Sequence, residues 1–243
     1  MNLFALRMSI FVFGIVSGPQ VIAQQSERAL YEWYDTTVGK ANSAIQNGPV
    51  YNNLYRIRPE SHNFYSSDYL TGSVTYRDNV YPGILLKYDI AQDILVARYE
   101  QNPAYGLQLS KSFVEMFSID GKTFRNLHNF PSKPDFVSGY YEELTSGRIS
   151  LYKKHHKDSR EVIKNNRVYD DLTPNDSYIV LKDNTFFKAD TKKQWSEIFP
   201  DQKSRIEDFY RKDRSLERSD KGKFLQNLAG FLQNNLSTEN KSQ

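Results

Sequence analysis

Residues 113–124 read Phe113-Val-Glu-Met-Phe-Ser-Ile-Asp-Gly-Lys-Thr-Phe124, and the Asp120-Gly121 pair inside them decides the fold. Apolar Phe117 and Ile119 alternate with polar neighbours up to that pair, as along a strand with one face buried. A two-residue type I′ turn needs positive φ at both central positions, which Asp-Gly accepts, so the pair predicts a β-hairpin. Phe117 is then expected close to Phe124 across it.

The same alternation extends outward in both directions. Upstream, residues 72–76, 83–88 and 94–99 read as strands of a meander, with Ile84, Leu86 and Tyr88 on one face and 89–93 as a connection. Tyr105, Leu107 and Leu109 alternate in the same way. Downstream, hairpins are expected at 139–144 with 148–152 around Ser146-Gly147, and at 178–181 with 185–189 around Asp183-Asn184. The charged stretch 153–174, which opens Lys153-Lys154-His155-His156-Lys157, has no such alternation and reads as an exposed loop or broken strand.

Helical spacing takes over after Ala189. Thr191 with Gln194 forms a capping-box pattern, and Trp195, Ile198 and Phe199 supply a buried face before Pro200 ends the segment. Ile206, Phe209 and Tyr210 mark a second helix, and Phe224, Leu225, Leu228, Phe231 and Leu232 a third. The chain therefore reads as a short helix within 24–47, carried by Ala29, Leu30, Trp33, Tyr34 and Val38, then an antiparallel β domain over 48–189. C-terminal helices follow over 190–236, with a disordered tail at 237–243. The fold class expected is mainly β (α+β): an antiparallel meander forming a curved sheet, sandwich or partly open barrel, with the helices packed on it.

Bulk properties agree with one such core. The 243 residues are 39% hydrophobic and 25% charged, and 17 Tyr with 15 Phe bring aromatics to 14%, residues that favour pleated surfaces. Residues 1–23 read as a cleavable secretory signal: Arg7, an apolar run over 9–16, helix-breaking Gly18-Pro19, and compact residues to Ala23, making Gln24 the expected new N-terminus. That apolar run falls short of the roughly 20 residues that cross a bilayer. The expected location is thus the periplasm or cell envelope, or outside the cell. The absence of Cys excludes disulfides, thiolate metal sites, a cysteine nucleophile and a lipidated cysteine.

Chemistry is sparsely marked. The net charge of +3 comes from Lys and Arg interleaved with Asp and Glu, whereas nucleic-acid binding needs a clustered basic face. His155 and His156 are neighbours, and neighbours point apart on a strand or helix, so they do not form a metal pair; they read as part of a solvated basic loop. His62 and His128 stand alone. Glu142 and Glu143 lie in a strand and face opposite sides, with one expected to be solvated, and Asp170-Asp171 before Thr173-Pro174 reads as turn chemistry. No nucleophile elbow, phosphate loop or zinc-protease motif is present, and no catalytic, metal-binding or cofactor-binding residue is assigned.

Tyr65, Tyr69, Tyr76, Tyr81 and Tyr88 form the one candidate binding surface. Aromatic platforms hold peptides and glycans, but cross-strand aromatic pairs also stabilise sheets by about 0.2–1 kcal/mol each, and solvent exposure separates the two roles. The basic amphipathic stretch 220–236 reads either as a surface for a membrane or partner, or as a cover for the sheet.

The order of several short segments resembles a family of uncharacterised exported proteins of Bacteroidetes-type Gram-negative bacteria. Those segments are Gly72-Ser-Val-Thr-Tyr76, Val80-Tyr81, Leu86-Lys-Tyr-Asp-Ile90 with Asp93 and Leu95-Val96, Gly139-Tyr-Tyr-Glu-Glu-Leu144 with Gly147, and Tyr178-Ile-Val180. The resemblance spans about 44–232 and implies export across the inner membrane. It brings no activity and no binding residue. The expected function is a non-catalytic binding or adaptor module that meets an envelope protein, a peptide or a glycan; the alternative is a secreted hydrolase.

Overall fold

The computed structural model of the chain describes residues 44–58 and 61–239, excepting the side chains of 235–239. The expected signal segment and most of the expected N-terminal helix lie outside them. Ten strands form one open antiparallel sheet, assembled from two meanders that share a central pair. The first comprises β1 (Leu70–Tyr76), β2 (Asn79–Asp89), β3 (Ile94–Arg98) and β4 (Gly106–Gln108). The second runs through β5 (Val114–Ile119), β6 (Lys122–Asn126), β7 (Tyr140–Thr145) and β8 (Ile149–Lys154). After an excursion it resumes with β11 (Ser177–Lys182) and β12 (Thr185–Lys188). β5 lies beside β1, which gives the order β12-β11-β8-β7-β6-β5-β1-β2-β3-β4; the end strands do not pair, so the sheet is not a closed barrel.

Turn chemistry sets the register. Asp120 and Gly121 have φ of 54° and 67°, as a type I′ hairpin requires. Phe117 then faces Phe124, with the rings stacked at 4.7 Å. Asp183 and Asn184 do the same between β11 and β12, with φ of 47° and 62°. Arg77-Asp78 also adopts positive φ between β1 and β2, a turn whose residue types announce it poorly.

The excursion between β8 and β11 corrects the expectation of a loop over 153–174. β9 (Lys157–Lys164) and β10 (Arg167–Pro174) form a separate two-stranded hairpin, in register from Lys164↔Arg167 to Lys157↔Pro174. Its strands alternate in charge rather than in hydrophobicity, so they carry little apolar period-two signal. The turn Asn165-Asn166, with φ of 52° and 58°, supplies the register instead.

Helices α1 (Lys192–Ile198), α2 (Lys203–Lys212), α3 (Arg214–Ser219) and α4 (Lys221–Glu239) cover one end of one sheet face. Thr191 caps α1 as the capping box predicts. Trp195 is fully buried and donates from Nε1 to the Ala189 carbonyl at 2.9 Å, which fixes the helix to the chain leaving β12. Phe224, Leu225, Leu228 and Leu232 of α4 meet Ile149, Leu151 and Val180. Phe231 is 37% exposed and packs instead on Phe209. α4 continues to Glu239, past the expected start of the tail.

Two further clusters complete the interior. Val74, Leu86, Tyr88, Leu95, Phe117, Phe124 and Tyr140 fill the other half of the same face beneath Ile45. On the opposite face Leu127 and Val137 from the loop after β6 cover Tyr141, Tyr152, Ile179 and Phe186.

Candidate functional site

Directly opposed residues in an antiparallel sheet share a face. Val74, Phe117, Phe124, Glu142, Lys153 and Tyr178 are linked by register into one row across six strands. The row is apolar at both ends and ionic in the middle, where the two clusters on that face meet. A carboxylate there loses water on every side and requires partners.

His155 supplies the first. Its Nε2 donates to Glu142 Oε2 at 2.5 Å, and its Nδ1 lies 3.9 Å from Asp176 Oδ1, beyond hydrogen-bond reach. The Tyr65 ring packs edge-on against His155 at 5.2 Å and against Phe124 at 5.6 Å. Lys122 Nζ stands 3.7 Å from Glu142 Oε1, and Lys153 Nζ 2.8 Å from Asp176 Oδ2. Burial raises the Glu142 pKa, but the hydrogen bond and charge of His155 and the charges of Lys122 and Lys153 more than offset it, holding the carboxyl below its ordinary value. A histidine with a carboxylate toward each ring nitrogen has the parts of an acid–base centre. Among the described residues, however, His155 bonds to no hydroxyl that could serve as a nucleophile.

A second ionic node lies beside it. Asp93 Oδ1 accepts from Lys154 Nζ and from the Tyr88 hydroxyl, each at 2.7 Å, and from the Tyr140 backbone N–H at 3.3 Å; Oδ2 accepts from Lys111 Nζ at 2.5 Å. Burial raises the Asp93 pKa, yet the two lysines pull it below the usual carboxylate range, while burial lowers the Lys154 ammonium. Gly139 is obligatory here, since its φ is 76° and a Cβ would stand 1.6 Å from Asp93 Oδ2. A third buried acid, Asp89, is fully enclosed and, among the described residues, accepts hydrogen bonds from the neutral donors Tyr51, Asn63, Gln92 and two backbone N–H groups.

Several expectations are corrected by this geometry. The basic loop 153–157 is not solvated, because Lys154 and His155 turn into the two nodes. His156 points elsewhere, to the Ile90 carbonyl at 3.2 Å and Asp158 at 3.3 Å. Glu142 and Glu143 do face opposite sides, but neither is free: Glu143 accepts from Arg125 at 2.8 Å. Asp170 and Asp171 are strand residues rather than turn residues. They tie β10 to the N-terminal segment through the Arg56 N–H at 2.7 Å and the Arg58 guanidinium at 2.8 Å.

The five tyrosines do not share one open surface. Tyr76 and Tyr88 are buried and Tyr65, Tyr69 and Tyr81 half-buried. Cations of the same chain lie over three of the rings: Lys122 on Tyr65 at 5.2 Å, Lys87 on Tyr69 at 5.0 Å and Arg77 near Tyr76 at 5.8 Å. A shallow cleft of about 460 Å³ among the helices is lined by Lys192, Glu207, Tyr210, Arg211, Arg214 and Glu217, charges of both signs with no histidine. Among the described residues no group of three or more His, Asp or Glu side chains is placed to hold a metal ion. No helix there is long and apolar enough to cross a membrane.

Exposed large apolar side chains include Leu54 at 70% and Val50 at 56%, and a pair at the far end of the β9–β10 hairpin. Ile163 and Val168 are directly opposed and 79% and 38% exposed. Compared with known proteins, the chain matches no family model, no curated protein and no solved structure.

Proposed function

We infer that the protein is a non-catalytic binding or adaptor module of the cell envelope, and that the β9–β10 hairpin is its contact element. The observation that carries the reading is the exposed Ile163–Val168 pair at the end of a hairpin that is anchored only at its base. A two-stranded hairpin is marginal in water by itself, and an apolar pair at its end adds nothing to the core. Glu142 with His155, and Asp93 with Lys111 and Lys154, are engaged with one another, which supports a binding role.

A hydrolase is the second reading, favoured by the carboxylates on both sides of His155. The test uses a tagged full chain on envelope extracts beside an Ile163→Ser, Val168→Thr variant and a His155→Gln variant. Capture of a defined component, lost in the hairpin variant and kept in the histidine variant, supports the module. Turnover of ester, peptide or glycoside substrates that disappears with His155→Gln overturns it.

A further inference from the structure

Charge is polarised along the β9–β10 hairpin. At its base the acids are engaged: Asp170 with the Arg56 N–H and Ser159, Asp171 with Arg58, and Asp158 with Asn175 and His156. Beyond the Glu161–Asp170 pair, residues 162–169 carry Lys164 and Arg167 and no acid, both exposed, while exposed Arg160 stands opposite Asp171 nearer the base. None of these three cations has an ion-pair partner among the described residues. Lys164 and Arg167 also stand directly opposite each other beside the turn, an unfavourable like-charge pairing. The next pair inward is Ile163 and Val168. The end of the hairpin thus carries Lys164 and Arg167 on one face and the Ile163–Val168 pair on the other.

We propose that this end of the hairpin docks tip-first on an anionic lipid bilayer, Lys164 and Arg167 meeting lipid phosphates while Ile163 and Val168 enter the headgroup–acyl boundary. The inference rests on the hairpin being the contact element. Two observations favour a bilayer over a strand of a partner protein. The exposed cations complement a dense anionic surface, which relieves the Lys164–Arg167 repulsion. The free edge of β9 carries Lys157, Asp158, Arg160, Glu161 and Lys164 in near alternation, the pattern by which sheet edges resist added strands.

Co-sedimentation of the full chain with vesicles of phosphatidylcholine containing phosphatidylglycerol, and with pure phosphatidylcholine, tests the proposal. Binding is expected to the anionic vesicles only, weakening as salt rises. Each cation removed is expected to reduce partitioning about fivefold, so Lys164→Gln with Arg167→Gln reduces it roughly 20–30-fold. Ile163→Ser with Val168→Thr is expected to reduce it about tenfold. The charge variants alter exposed side chains only, and an unchanged far-ultraviolet circular dichroism spectrum confirms their fold. Equal binding to neutral vesicles, no binding to either, or undiminished binding by the variants overturns the proposal. If vesicles fail while an envelope protein is still captured through the hairpin, the lipid inference alone falls; failure of both removes the adaptor reading too.

Discussion

At Asp93 one carboxylate compensates two lysine ammoniums in a largely dry site. Removing one partner of a buried ion pair strands the other charge, so Asp93→Asn is expected to lower stability by about 3–5 kcal/mol in urea unfolding. Adding Lys154→Met should recover part of that loss. The pH dependence follows from sign. Asp93 and Glu142 both have folded pKa values below their ordinary ones, so the unfolded chain takes up protons first as the solution is acidified. Their stabilisation is complete at neutral pH. It declines once pH drops below the ordinary carboxylate range and is gone below the folded values. Thermal melts from neutral pH downward should show this acid limb, shallower in Asp93→Asn. The neighbouring glycine gives a sharper contrast. Gly121→Ala meets open space and costs about 1–2 kcal/mol from left-handed strain, while Gly139→Ala drives a Cβ into the Asp93 carboxylate and should cost clearly more by the same measurement.

Among the elements, α1 shows how a short helix is made stable by its attachments. Its seven residues would not hold a helix alone in water. The Thr191–Gln194 box satisfies its first amides, and the Trp195 ring fills the space beneath. Thr191→Ala is expected to cost about 1 kcal/mol and Trp195→Ala about 3–5 kcal/mol, both read as shifts of the urea midpoint. The β9–β10 hairpin is the opposite case, with a long register, little burial and polar anchors at one end. Amide exchange should be fast near Asn165 and slow in β8 and β11, and comparable protection across all three would contradict this account of the hairpin.

At the scale of the molecule, the four helices act as the roof of half a sheet face. Ile149, Leu151, Tyr178 and Val180 form that half, and without helices they would make a continuous apolar surface beside β12, an open strand edge. Deleting residues 190–243 is therefore expected to send the chain to the insoluble fraction on expression. Gln226 and Gln233 of α4 bond to the Leu144 carbonyl and the Ile149 N–H, so the same helix also serves polar backbone where β7 turns into β8.

Local periodicity and turn chemistry were enough to derive the strands around Asp120-Gly121, Ser146-Gly147 and Asp183-Asn184, the Phe117–Phe124 contact and the α1 cap, because each depends on neighbours close in sequence. The β9–β10 hairpin was illegible, since its order comes from Asn165-Asn166 and charged cross-strand pairs rather than buried apolar ones. The ionic nodes were beyond sequence reading for a different reason. Glu142 meets His155 and Asp93 meets Lys111 and Lys154 only after β7, β8 and the β2–β3 connection are brought together, and no spacing along the chain encodes that meeting. Sequence alone thus determined that these side chains build an antiparallel sheet with helices at its end. Tertiary structure decided which charges are buried, paired or left facing outward, because desolvation and Coulomb attraction depend on distance in space, not on separation along the chain.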